Sequence, residues 1–356
     1  MAQFNRLVLA TTLVLATAIT LLGSSRLARK WVGEAPAEPW ATRGSAGASP
    51  FRPYVPWTAQ DSIRLRSACD ERAAELRSQS RGQLAVLVRA PWILAGEATC
   101  AELQTTYEVT IEPAWRAMAR EYFHTAPDRP ITVLLCSTER AYRDWAEQLF
   151  FDRGVSRFGY YKPGRRTIVV NLAEGTGALL HEMTHALMAC DFPDAPLWFE
   201  EGLASLHEAA GLEVSAQGMR LKGRVNWRLQ ILRRSIRNGR LPCLQTLFQV
   251  RELRGPDEAI RYAEARYFCL FLQDENLLTA YYQRLRHSGD RDPRGEQALK
   301  EILPDASWTA LDARFLRWLS SLEDSALRLT MSECKVSGLG CTLTAIAIEP
   351  LRPDDS

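Results

Sequence analysis

Apolar positions change their spacing along this chain, and the changes mark out its elements. Residues 7–23 form an apolar run of 17 residues with Thr as the only polar type. A run of that length fits a signal-peptide core or a short membrane anchor. Residues 31–58 are rich in Pro, Ala, Gly and Trp and lack a helical period, which reads as an extended linker. Residues 59–82 predict a helix dense in charge, with Arg64, Arg66, Glu71, Arg72, Glu75 and Arg77. Residues 83–89 read as a strand, continued by 91–94 after a break. Residues 101–123 predict one long amphipathic helix, 131–136 a short, fully apolar strand, and 139–150 a further helix. Gly159-Tyr160-Tyr161 and Thr167-Ile168-Val169-Val170 flank a Pro-Gly turn and predict a hairpin. From there the pattern turns helical and stays so, with helices near 176–190, 199–209, 222–237, 257–273, 276–287 and 306–321.

Strands gathered early and helices late predict an α+β fold. A small N-terminal mixed sheet with helices would precede a mostly helical half. The strand at 168–170 is expected to be an exposed sheet edge, where a peptide backbone could be added.

Composition changes this picture little. Apolar residues make up 46% and charged residues 24%, enough for a substantial core in a 356-residue chain. The net charge of +2 gives no pull toward nucleic acid. The Arg-rich stretch at 224–240 reads as a solvated helix face. Eight cysteines with no CxxC pattern permit disulfides in an exported chain and give no structural zinc site of that kind. Cys334 and Cys341, around a short Gly-containing loop, are the first pair to expect. Cys136, inside an apolar run, reads as a buried small hydrophobe. Arg26, Arg29 and Lys30 follow the apolar run, and positive-inside reasoning alone would keep the chain cytoplasmic. The favoured expectation is nevertheless export to an extracytoplasmic location, with membrane attachment through residues 7–23 if the segment is retained.

The chemistry concentrates in His181-Glu182-Met183-Thr184-His185. On a helix, His181 and His185 project from one face, one turn apart, and both can reach a single metal ion. Glu182 points about 100° away, off the metal but beside it, where it can hold and deprotonate a metal-bound water. The flanks Ala178-Leu179-Leu180 and Ala186-Leu187-Met188 bury this helix, so the imidazole nitrogens need partners, and a metal supplies them. The chain holds 5 histidines and 26 glutamates. Random placement would produce the spaced pattern roughly 0.005 times.

A catalytic zinc keeps three protein ligands and one open position. The segment 191–196, with two prolines, ends the first helix and permits a reversal. Trp198-Phe199-Glu200-Glu201-Gly202-Leu203-Ala204 can then pack back and present a carboxylate. Glu200 and Glu201 point about 100° apart, so one of them binds, and helix geometry alone leaves the choice open. Ala204 and Ser205, one turn beyond Glu201, would allow close helix packing at that face.

His-Glu-Met-Thr-His followed by Pro-Leu-Trp-Phe-Glu-Glu-Gly-Leu-Ala resembles the gluzincin metallopeptidases, and within them the bacterial peptidase-MA-like domain family. The resemblance spans roughly residues 83–321, leaving 1–30 as signal or anchor, 31–58 as linker, 59–82 as a charged helix and 322–356 as a tail. It implies that His181, His185 and Glu201, the Glu directly before Gly, bind one zinc ion per chain. It implies Glu182 as general base, and Tyr262 as the donor to the oxyanion, with Tyr267 and His207 as runners-up. A peptide or protein substrate follows. The alternative is a zinc-retaining peptide-binding or envelope scaffold without turnover. A third reading, a cytoplasmic protein with an N-terminal anchor, changes location and not chemistry. His124 and His287 read as solvated or capping residues.

Overall fold

The computed structural model describes residues 57–215, 218–303 and 307–322. The apolar segment at 7–23, the linker up to residue 56, the C-terminal tail from 323 and the Cys334/Cys341 pair lie outside the described residues. Among those described, no helix is long and apolar enough to cross a membrane, and Cys69, Cys100, Cys136, Cys190, Cys243 and Cys269 are free thiols.

Helix α1 (Ala59–Gln79) starts at a capping box. Thr58 accepts from the Asp61 amide and Asp61 accepts from the Thr58 amide, which fixes the helix start. Its buried stripe is Leu65, Cys69, Ala73 and Leu76, spaced as one helical face requires. Strands β1 (Ala85–Arg89) and β2 (Trp92–Gly96) follow as an antiparallel hairpin, where a single strand with a break was expected. The predicted helix over 101–123 is instead α2 (Cys100–Thr106), a π-helical turn (Tyr107–Ile111) and α3 (Glu112–Glu121). Pro113 supplies the reason, because it has no N–H for the carbonyl four residues back. The β-branched Thr105, Thr106, Val109, Thr110 and Ile111 crowd the same turns.

Strand β3 (Ile131–Cys136), helix α4 (Glu139–Phe150), strand β4 (Gly159–Lys162) and strand β5 (Thr167–Asn171) complete a mixed sheet in the order β1-β2-β3-β5-β4. β2, β3 and β5 run parallel, and β4 returns antiparallel on β5. Both faces are covered. Ile93, Leu134 and Val169 pack with α1 and α4, while Leu94, Val133 and Ile168 join the core of the helical half. Two-sided burial explains why β3 reads as an unbroken apolar run.

The expected sheet edge at 168–170 is corrected. β5 is internal and all five of its residues are buried. The hairpin folds β4 over its outer side and takes up its free hydrogen bonds, so β4 is the edge strand.

Helices α5 (Gly177–Asp191) and α6 (Leu197–Glu208) come next. The C-terminal end of α5 is fixed by the buried Asp191 carboxylate. It accepts from the Thr125 amide at 2.7 Å and the Tyr282 hydroxyl at 2.6 Å, and forms an ion pair with the Arg286 guanidinium at 2.8 Å. The chain then departs from the all-helical expectation, because β6 (Ala210–Ser215) and β7 (Gly218–Gly223) form a second hairpin. The alternation of Leu212 and Val214 with Glu213 carried that signal, and Gly218 at φ +112° accepts the turn. The helix expected at 222–237 therefore starts later, as α7 (Arg228–Arg237), with Leu229 and Leu232 buried and Arg234 and Arg237 in solvent. The rest is helical: α8 (Leu244–Phe248), α9 (Glu258–Asp274), α10 (Leu278–Ser288), α11 (Glu296–Ile302) and α12 (Trp308–Ser321). The α+β architecture stands as expected, with the helical half interrupted by one hairpin.

Helix α6 lies between α5 and α9, and the contact with α9 is closest at Gly202. A Cβ there would stand 2.7 Å from the Ala265 carbonyl oxygen and 2.9 Å from the Cys269 sulfur. Gly202 admits α9, while Ala204 and Ser205, expected to allow close packing, are fully buried in the same helix. Gly202→Ala is expected to lower stability by about 1–3 kcal/mol, because backbone must move to admit the methyl group. A urea unfolding midpoint unchanged from the wild type would contradict this.

Candidate metal centre

Two helices build the centre. α5 presents His181 and His185 one turn apart, and α6 returns along it after the turn at 192–196. The pairings run antiparallel. His185, deep in α5, meets Glu200 near the start of α6, and His181, near the start of α5, meets Glu208 at the end of α6. Glu201 falls between them. Gly177 allows the approach at the far end, since a Cβ there would stand 2.6 Å from the Glu208 carbonyl oxygen.

His181 Nε2, His185 Nε2 and a Glu201 oxygen converge. The nitrogens are 3.1 Å apart, and Glu201 Oε2 lies 3.5 Å from the first and 3.7 Å from the second. Ligands held about 2.0–2.1 Å from a tetrahedral zinc are separated by about 3.4 Å. The observed triangle fits that spacing, and a set of three protein donors, N/N/O, is the number that a catalytic zinc takes. If each ring keeps its proton on the Nδ1 that faces a carboxylate, both Nε2 atoms are acceptors, and they share no hydrogen bond unless one ring takes a second proton. A cation between them satisfies both at once.

The outer nitrogens are held as well. His185 Nδ1 lies 2.9 Å from Glu200 Oε1, so the two adjacent glutamates divide the work: Glu201 faces the cluster and Glu200 orients a histidine from behind. His181 Nδ1 faces Glu208 at 3.8 Å. Both Glu208 oxygens accept from Arg228 Nη1 at 2.9 Å. Carboxylates behind ligating imidazoles fix the tautomer and raise ligand basicity. Sequence reasoning missed Glu200 and Glu208 in these roles. The seven-residue spacing of Glu201 and Glu208 on one helix face was the available signal.

The electrostatics favour a positive charge at the cluster. Burial pulls the His185 pKa down, but the Glu200 hydrogen bond and the charges of Glu201 and Glu182 outweigh it and hold His185 at about 9. Burial raises Glu201 and Glu208 too, yet Glu201 ends below its ordinary value through His181 and His185, and Glu208 through Arg228. Glu182 is different. It is 8% exposed and lies off the triangle, and its carboxyl is raised chiefly by burial. Edge strand β4 lies against it, since a Cβ on Gly159 would stand 3.7 Å from Glu182 Cγ, and the nearby Tyr161 backbone works against the rise.

The remaining candidates separate clearly. Tyr262, in the second turn of α9, stands beside Glu201, and burial followed by the Glu201 charge raises its phenol. Tyr267 is removed from the site, because its hydroxyl donates to the Asn226 carbonyl and accepts from the Asn226 amide. His207 is also corrected. It is fully buried behind α5, with Nδ1 2.8 Å from the Thr184 hydroxyl, which in turn donates to the Leu180 carbonyl. Burial pushes His207 down to about 3, so it is a neutral packing residue that locks Thr184 of the histidine motif in place. His124 is half-buried, 3.2 Å from Gln283, rather than solvated, and His287 is exposed in the last turn of α10.

Set beside known proteins, the chain matches no protein-family model and no curated protein. The centre therefore stands on its own residues.

Two outcomes follow. Below pH 9 the metal-free protein holds a proton on His185 that a bound metal must displace. Zinc affinity should therefore rise with pH, by about tenfold per unit for that proton, and level off once His185 is neutral. Competition titrations against a chelator across that range would read it, and a flat profile would contradict it. Glu200→Gln keeps an acceptor but removes the charge behind His185, and should weaken zinc binding by about 10–100-fold.

Proposed function

We propose that this protein is a zinc-dependent peptidase of the gluzincin type, similar to the peptidase-MA-like domains. The observation that carries the reading is the triangle of His181, His185 and Glu201 with Glu182 buried beside it and outside it. In this reading the three bind one zinc ion. When bound, zinc supplies Lewis-acid polarisation of the scissile carbonyl and acidifies the attacking water.

The protein's own groups would do the rest. Glu182, raised by burial toward the range where a carboxylate can both take and return a proton, accepts the proton of the attacking water. It then delivers that proton to the leaving amine. Tyr262 is a neutral phenol at working pH and donates a hydrogen bond to the oxyanion of the tetrahedral intermediate. The outer edge of β4 can align an extended peptide by backbone pairing, and the approach of Gly159 in that strand to the Glu182 side chain would set the peptide near the base. Residues 7–23 support an exported protein, held at the membrane if the segment is kept.

The test is a metal analysis joined to a peptide-library digest. Wild type should carry about one zinc per chain, and Glu182→Gln should keep the metal while losing about 10²–10⁴-fold in hydrolysis. His185→Ala should lose the metal, and undiminished zinc binding by that variant would overturn the ligand assignment. Zinc retained by wild type with no hydrolysis of any peptide would favour a non-catalytic peptide-binding role instead.

A further inference from the structure

The hairpin of β6 and β7 has one edge taken and one edge open. At Gly223 a side chain closes the outer edge of β7. The Gln273 carbonyl oxygen accepts from the Gly223 amide at 2.8 Å, and the Gln273 amide group donates to the Gly223 carbonyl at 3.1 Å. Gly223 lies opposite Ala210, and the next residue, Arg224, donates its amide to the Ala209 carbonyl at 2.9 Å. Hydrogen-bonded and non-hydrogen-bonded pairs alternate along an antiparallel ladder. Ala210, Leu212 and Val214 therefore direct their amides and carbonyls away from β7. Among the described residues nothing pairs with these groups. Leu212 and Val214 are also exposed, at 39% and 81%. An open edge that carries apolar side chains is a template for another strand.

The charges along β6 select which strand. Gly211 and Glu213 share the face opposite to Leu212 and Val214. Gly211 has no side chain, and Arg224 takes its place, since a Cβ on Gly211 would stand 2.6 Å from Arg224 Cζ. Glu213 is half exposed, and Lys222 reaches it only at 3.6 Å. The strand thus shows a positive charge at position 211 and a negative one at 213. When β6 is laid antiparallel against a copy of itself, open backbone groups must meet open backbone groups. With a two-fold axis at Leu212, the Arg224 that covers Gly211 faces Glu213 of the partner subunit, and the symmetry makes this contact twice. An axis one residue earlier would face Arg224 with Arg224 of the partner subunit. An axis one residue later would face Glu213 with Glu213 of the partner subunit. Directly opposite residues attract when unlike and repel when alike, so charge picks the axis at Leu212. The other face agrees with this register, because Leu212 meets Leu212 of the partner subunit and Val214 meets the partner's Ala210.

We propose that β6 pairs antiparallel with β6 of a second copy of this chain, about a two-fold axis at Leu212, so that two hairpins form one four-stranded sheet. The interface is self-complementary and closes both open edges. It also sets the partner's Val214 opposite Ala210, just beyond Glu208, which faces His181 at 3.8 Å. The pairing does not depend on the peptidase reading.

Sedimentation of the full-length protein reads the pairing. Two paired strands bury less than a standard interface, so wild type should pass from monomer to dimer with a dissociation constant of about 1–100 µM. Salt should weaken the dimer. Glu213→Arg and Arg224→Glu each set like charges across the axis and should each weaken dimerisation by about tenfold or more. Mixed in equal amounts, the two variants regain both ion pairs and should form a heterodimer as strong as the wild-type dimer. Leu212→Pro removes the central amide and should leave a monomer. A wild type that stays monomeric through that range would overturn the pairing. So would a dimer that Glu213→Arg leaves intact, or variants that stay apart when mixed.

Discussion

The structure depends on concentrating carboxylates around two mostly buried imidazoles. Glu182, Glu200, Glu201 and Glu208 all approach His181 or His185, and each is drawn at least partly out of water. Like charges gathered in a poorly solvated site repel one another, and the arrangement persists only with positive charge among them. Arg228 supplies one positive charge, behind Glu208. Without a metal, a proton on His185 supplies another, which is why that histidine stays protonated to about pH 9 despite its burial. A divalent cation in the triangle meets the same requirement more completely. The proposed metal affinity and the geometry of the donor triangle would thus be expressions of one electrostatic constraint.

Everything around the centre holds that constraint in place. The antiparallel packing of α5 on α6 sets which carboxylate meets which imidazole. Gly177 lets α5 approach the end of α6, and Gly202 lets α6 approach α9. Thr184 and His207 fasten the underside of α5, and Asp191 fastens its end to α10 and to the segment after α3. These supports are neutral or internally paired, so they fix the site without adding net charge to it. The sheet contributes an edge rather than a wall. β4 closes over β5 and brings Gly159 against the Glu182 side chain.

Parts of this were legible because they depend on spacing within one element. The four-residue interval of His181 and His185, the position of Glu182 and the α+β order of elements follow from helical and strand periods. Other parts were misread where a local rule overrode the period. Pro113 and its β-branched neighbours put a π-helical turn into a helix that the apolar pattern ran straight through. The hairpin at 210–223 was lost because its strands are short and its alternation covers only a few residues. The sheet edge was misplaced because β5, apolar throughout, gives no sign of which neighbour covers its outer side.

The sequence by itself determined the donor types, their order along the chain and the helix that presents two of them. It narrowed the third to Glu200 or Glu201 and could go no further, since adjacent residues on a helix differ only in direction. Tertiary structure decided between them. The crossing of α6 over α5 turns Glu201 to the ligand nitrogens and Glu200 to the far side of His185. The same packing sent Tyr267 and His207 away from the site and brought Tyr262 and Glu208 to it. Those residues lie on separate elements, and a contact between elements is fixed by packing and desolvation across the whole domain, which no local spacing records.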